Sequence, residues 1–212
     1  MFEKERAAMV EYQLVKRGIT NKYLLEVMRL LPRHKFLPET VKVMSYGDFA
    51  IPIGNNQTIS QPYIVAKMIE LLKPTKLDKI LEVGTGSGYA AGILGQLAGK
   101  VVTVERVPEL AEKAKKTLKE LKIANTGVLV GDGSVGAIHY YPFDKILISA
   151  ACPKVPEELI QQLRINGVIV APIGDRMKQR ITRIVKSREG LIETQYDACS
   201  FVPLIGKNGF NI

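Results

Sequence analysis

Tryptophan is absent from this 212-residue chain, and only two cysteines and two histidines occur in it. Cys152 and Cys199 cannot make a four-ligand thiolate site, and neither belongs to a Cys-x-x-Cys pair. They read as small buried hydrophobes in a reducing compartment, with a disulfide within or between chains left open. His34 and His139 have no metal-ligand spacing and no nucleophile motif beside them. Both read as structural, and no metal is expected. No run approaches the roughly 18 apolar residues of a membrane span. The opening Met1-Phe2-Glu3-Lys4-Glu5-Arg6 is too charged for a signal peptide. Repeats and low-complexity linkers are missing as well. These absences exclude secreted disulfide scaffolds, zinc modules and membrane proteins, and leave the expectation of a soluble cytoplasmic protein.

What is present suits one globular domain. Hydrophobic residues make up 46% and charged residues 24%, and a chain of this size buries about 70% of its unfolded surface without a staple. The net charge of +9 raises nucleic acid as a partner, so its location matters. Lys113, Lys115, Lys116, Lys119 and Lys122 fall among Glu109, Glu112 and Glu120 at i,i+4 spacing, the solvated face of a helix. Arg176, Lys178, Arg180, Arg183, Lys186 and Arg188 form a denser cluster, in which Thr182, Ile184 and Lys186 alternate with Ile181, Arg183 and Val185, and it predicts an edge strand guarded by charge. No aromatic residues interleave there for base stacking. Nucleic acid is disfavoured.

Helical stripes over Met9–Val15 and Leu24–Leu31 precede a turn-rich stretch from Phe36 to Gln57, and Pro62 predicts the first turn of another helix. From Lys79 onward, strands (79–83, 101–104, 128–130, 143–148, 167–171) alternate with helices (89–97, 108–121, 156–163). That rhythm predicts an α/β fold, a Rossmann-like doubly wound and mainly parallel sheet. Residues 1–57 would form an N-terminal helical cap over the carboxyl edge, and residues 58–212 a core closed by a C-terminal hairpin.

The sharpest local signal is Leu81-Glu82-Val83-Gly84-Thr85-Gly86-Ser87-Gly88, a strand running into a glycine loop and a helix. Such a loop lets backbone approach a ligand, and the helix start offers N–H groups to it. Glu105 ends the next strand, where a carboxylate can accept both ribose hydroxyls of an adenosine. Gly86-Ser87-Gly88-Tyr89-Ala90-Ala91 also fits the loose nicotinamide-dinucleotide fingerprint. Against that reading, Glu82 is charged where dinucleotide enzymes are apolar. A charge there suits S-adenosylmethionine, which carries an amino group and a sulfonium. Gly131-Asp132-Gly133 follows the third strand, where class I methyltransferases place an acid near the adenine amino group. After the fourth strand comes Ser149-Ala150-Ala151-Cys152-Pro153 instead of the Asn/Asp-Pro-Pro-aromatic motif of enzymes that methylate base amines.

Several segments together resemble the protein-L-isoaspartate O-methyltransferase family over nearly the whole chain. They are Leu37-Pro38-Glu39, Ile51-Pro52-Ile53-Gly54, Gln57-Thr58-Ile59-Ser60-Gln61-Pro62, the glycine loop, Gly131-Asp132-Gly133-Ser134, Ala150–Pro156 and Phe201–Gly206. Asn55-Asn56 and Tyr63 depart from the family pattern, since relatives often carry His at the latter. The resemblance implies S-adenosylmethionine as cofactor and the α-carboxylate of isoaspartyl residues in damaged proteins as methyl acceptor. It implies Ser60 at the reaction centre, with Gln57, Thr58, Glu82, Gly84, Gly86, Gly88, Glu105, Asp132 and Gly133 around the cofactor. It further implies Ile59, Ser60, Val202 and Pro203 against the substrate peptide. From the residues alone, Ser60 also suits a helix N-cap ahead of Pro62, a role compatible with the first. An α-carboxyl has a reference pKa of about 3.3–3.7, so the nucleophile is ionised at neutral pH and no general base is needed. Two other readings stay open at this stage: a class I methyltransferase acting on RNA, and a nicotinamide-dependent oxidoreductase. The oligomeric state is open too.

Overall fold

A computed structural model describes residues 2–210. Six α-helices and nine strands follow one another as α1 Glu3–Ala8, α2 Lys22–Leu30, β1 Ile51–Gly54, β2 Gln57–Ile59, α3 Pro62–Leu72, β3 Lys79–Val83, α4 Tyr89–Leu97, β4 Lys100–Glu105, α5 Pro108–Glu120, β5 Thr126–Val130, β6 Phe143–Ile148, α6 Glu157–Gln162, β7 Leu163–Gly174, β8 Gln179–Lys186 and β9 Leu191–Cys199. The first helix continues past α1 through a wider turn over Met9–Leu14 and a tighter one to Arg17, and stops at Gly18, whose φ is +87°. Asn21 caps α2, its side chain accepting from the Leu24 N–H at 3.1 Å.

Seven strands form one sheet in the order β5-β4-β3-β6-β7-β8-β9. β5, β4, β3, β6 and β7 are parallel, and β8 and β9 fold back as an antiparallel hairpin. The order runs outward in opposite directions from β3 and β6, so the switch point lies between their carboxyl ends. Ile80, Leu81 and Val83 are fully buried, as a central parallel strand covered on both faces requires. Alternation divides the core. Ile80 joins side chains of α2, α3, α4 and the N-terminal segments, whereas Leu81 and Val83 join Leu159 of α6 and Leu204 near the C-terminus. β1 and β2 make a separate hairpin that spans the boundary drawn at 57/58.

The basic segment corrects one expectation. β8 is not an edge strand: it pairs with β7 on one side and β9 on the other. Its Ile181 and Ile184 are buried, and two of its cations serve as ties. Arg183 Nε donates to the Leu71 carbonyl at 3.0 Å, and Lys186 Nζ donates to the Ile160 and Leu163 carbonyls at 2.7 and 2.8 Å. Cations at the unsatisfied carbonyl ends of α3 and α6 stabilise those helices. Edge position falls to β9, whose side chains are mostly exposed.

Candidate active site

A cleft opens at the switch point, walled by residues 57–60, the loop after β3, the ends of β4 and β6, and residues 201–205. The glycine loop forms its floor. Gly84, Gly86 and Gly88 have φ of +90°, +52° and +87°, a region that a Cβ would strain. Glu105 fixes the loop from the neighbouring strand. Its carboxylate accepts the Gly86 N–H at 2.8 Å through Oε2 and the Val107 N–H at 2.9 Å through Oε1.

Glu82 stands opposite Thr103 in the β3–β4 register and is wholly buried at the cleft wall. Thr103 donates to Glu82 Oε2 at 2.6 Å and also meets the Thr85 hydroxyl at 2.6 Å, while Ser149 donates to Oε1 at 3.3 Å. Burial pushes the Glu82 carboxyl up to about 8, against the pull of the Thr103 and Ser149 bonds and with the help of nearby Glu105. No cation pairs with it among the described residues. A buried, unpaired acid with its carboxyl so raised marks a candidate functional position.

Ser60 also lines the cleft. It is not the cap of α3. That position belongs to Gln61, which makes no side-chain cap bond. Asp48 Oδ1, from the preceding loop, accepts the Tyr63 N–H at 3.4 Å in its stead. The Ser60 carbonyl accepts from Arg33 Nη2 at 2.8 Å, while its hydroxyl makes no hydrogen bond among the described residues. Gln57, Thr58 and Ile59 continue the same wall, and Val202 and Pro203 face it from the C-terminal side. The Val202 carbonyl accepts from the Ala151 N–H at 2.8 Å and the Leu204 N–H donates to the Ala151 carbonyl at 2.7 Å, which locks this segment onto the end of β6.

Two residues expected at the cofactor are not among those that line the cleft. Gly88 does not line the cleft. Its position packs against Ala114 of α5, where a Cβ would crowd the helix. Asp132 does not line it either, although Gly133 does. Asp132 Oδ1 accepts the Ser134 N–H and hydroxyl at 2.8 and 2.7 Å, and Oδ2 accepts the Lys207 N–H at 2.8 Å. Burial works against its charge, but the bonds from Lys207 and Ser134 prevail and hold the carboxyl below its ordinary range. Ser134 Oγ in turn accepts the Asn208 N–H at 3.0 Å. The acid after β5 thus ties down the segment that carries Val202 and Pro203. A Cβ at Gly206 would run into Asp132 Oδ1 and Ser134 Oγ. Gly206→Ala is expected to cost about 1–3 kcal/mol, which lowers Tm by about 2–4 °C per kcal/mol at this size. Calorimetry checks it, and a parental Tm contradicts it.

Thr103 and Ser149 were within reach of sequence reasoning, as polar residues inside or just after apolar strands. Arg33 and Asp48 were not, because nothing local marks their long-range contacts.

The family model for protein-L-isoaspartate(D-aspartate) O-methyltransferase matches residues 4–209. The chain belongs to the protein-L-isoaspartate O-methyltransferase family. A relative of that name from Methanospirillum hungatei is 47% identical over 97% of this chain and 95% of its own. One from Geobacter metallireducens is 44% identical, covering 99% and 97%. A solved protein-L-isoaspartate O-methyltransferase superposes with a TM-score of 0.87 at 25% identity, over 96% of this chain and 67% of that one. A second, a Plasmodium falciparum homologue in complex with S-adenosyl-L-homocysteine, gives 0.78 at 26% identity, over 94% and 98%. The enzyme therefore transfers a methyl group from S-adenosylmethionine to L-isoaspartyl residues, the initiating step of their repair.

Proposed function

We propose that Ser60 orients the isoaspartyl α-carboxylate and that the glycine loop, Glu82 and Glu105 hold the methyl donor. The observation that carries this reading is the Ser60 hydroxyl, without a hydrogen bond among the described residues, in a cleft that Glu82 and Glu105 also line. The donor set suits an adenosyl sulfonium. Glu82 offers an unpaired acid to a cationic end, Glu105 keeps lone pairs for ribose hydroxyls beside its two N–H bonds, and Gly84 and Gly86 admit close backbone approach. Bound there, S-adenosylmethionine supplies the methyl group.

The remaining work belongs to the chain. Ser60 donates a hydrogen bond to the non-attacking oxygen, which leaves the other oxygen free to face the methyl group that the bound donor would supply. No proton moves, so no base is required, and alignment can contribute up to about 7–11 kcal/mol. Gln57 and Thr58 flank the donor. Ile59, Val202 and Pro203 contact the peptide around the altered residue. Asp132 acts at one remove, by tying down the segment that carries Val202 and Pro203. Residues 1–57 serve as the cap and residues 58–212 as the catalytic core.

Isoaspartyl proteins and peptides of the cytoplasm are the substrates in this reading, and no described helix is long and apolar enough to cross a membrane. RNA gains no support, since the Arg183 and Lys186 side chains are occupied with carbonyls. Paired peptides differing only in Asp or isoAsp, offered with methyl-labelled donor, test the function. Base-labile label is expected on the isoAsp peptide alone, and equal labelling of both overturns the reading.

A further inference from the structure

Arg33 heads the fully buried side chains. It sits in the short turn Arg33–Phe36, and among the described residues no carboxylate pairs with it. Its Nε donates to the Ser45 carbonyl and its Nη2 to the Ser60 carbonyl, both at 2.8 Å. The guanidinium carbon lies 4.7 Å from the centroid of the Tyr89 ring. Arg33 Nη1 and the Tyr89 hydroxyl are both buried without a partner at hydrogen-bonding geometry, although they lie close enough to interact electrostatically.

A guanidinium does not escape burial by losing its proton. If packing alone were needed, an apolar side chain of similar volume would serve with less desolvation. What the planar fork provides is a rigid link between two carbonyls, one in the N-terminal region and one on the cleft wall. The far end of that wall is held as well. Asp48 accepts the Tyr63 N–H and pairs with Arg17 Nη1 at 2.5 Å, and Arg17 stacks 3.5 Å from the Tyr63 ring centroid. Residues 60–63 are thereby clamped at both ends by the N-terminal region.

We propose that Arg33 is a positioning residue for methyl transfer, which sets the place of the Ser60 hydroxyl by holding the Ser60 carbonyl from behind the cleft wall. Arg33 does not line the cleft, and so it acts only through that carbonyl. The inference rests on Ser60 being the orienting serine.

The test is a double-mutant cycle of Arg33→Lys and Arg33→Met, each alone and combined with Ser60→Ala. Four quantities are read: kcat for an isoaspartyl peptide, its KM, the Kd for S-adenosylhomocysteine, and Tm. Arg33→Met is expected to lower kcat about tenfold or more, with Arg33→Lys partly restoring it and the Kd unchanged within about twofold. In the Ser60→Ala background the same substitution should change kcat by less than about twofold. A residue that merely supports the fold would lower Tm and ligand affinity together and give an additive cycle, and that result overturns the proposal. So does a parental kcat in the folded Arg33 variants. Parental kcat in Ser60→Ala alone overturns the reading of Ser60 and this one with it. A deficient Ser60→Ala with an additive cycle overturns only the role of Arg33. Should the Arg33 variants not fold, the ¹⁵Nε resonance of Arg33 in the parent enzyme decides. A shift on adding the isoaspartyl peptide with S-adenosylhomocysteine, absent with the aspartyl peptide, supports the proposal. The same position with both overturns it.

Discussion

Ser60→Ala should lower kcat for an isoaspartyl peptide by about a hundredfold while KM for the methyl donor stays within about twofold. The reasoning starts from what the cleft lacks. The nucleophile arrives ionised, so activation contributes nothing and geometry must supply the acceleration. A carboxylate has two equivalent oxygens, free to rotate, and only one can lie in line with the methyl carbon and sulfur. A hydroxyl fixed by its own backbone breaks that equivalence. The Ser60 carbonyl is held by Arg33, and its side chain makes no hydrogen bond among the described residues. Because Glu82, Glu105 and the glycine loop, not the Ser60 hydroxyl, are the groups proposed to hold the methyl donor, its binding should survive the substitution. Steady-state kinetics with labelled donor make the measurement. An unchanged kcat would remove Ser60 from the reaction centre.

The second expectation concerns Glu82 and acidity. Its carboxyl stands at about 8 in the fold against an ordinary 4.5, so between those values folding takes up a proton that the unfolded chain has released. From this group, the stability of the ligand-free enzyme therefore falls as pH rises through that window, by about 1.4 kcal/mol per unit, and levels above it. Ligand affinity runs the opposite way. A cationic group in the cleft favours ionised Glu82, so binding expels the proton below pH 8. The Kd for S-adenosylhomocysteine should tighten by up to about tenfold per unit from pH 6 to 8 and then flatten. Calorimetry in buffers of unlike ionisation enthalpy reads the released proton directly. Glu82→Gln should bind more weakly and show a flat profile. A flat profile in the parent enzyme would mean that Glu82 never meets the ligand's charge.

Most of the sheet was legible because buried parallel strands are short apolar runs whose limits are set by glycine, proline and charge. The limits predicted for β3, α4 and β6 coincide with those observed. β8 was misplaced because its charges looked outward in the sequence, whereas Arg183 and Lys186 reach back to helix-end carbonyls. The cleft was legible where backbone makes it, at Gly84 and Gly86, and where a charge interrupts an apolar strand, at Glu82. It was illegible where a residue works through distant partners. Asp132 reads as a ligand contact, and nothing local announces its bond to the Lys207 N–H, 75 positions away. Arg33 resembles any surface arginine, yet it is bonded 27 positions along the chain to Ser60. Spacing rules see neighbours within a turn or a strand, and these bonds join segments that meet only after collapse.

The walls of the cleft come from segments as far apart as residues 57 and 205, so no single segment completes it. Assembly of the catalytic surface then coincides with completion of the global topology, the slow, non-local part of folding. Heat or chemical ageing should extinguish such a catalyst all at once instead of leaving a loosened version with relaxed selectivity. For a protein that must tell one misconnected carboxylate from a cell full of normal ones, falling silent is the safer way to fail.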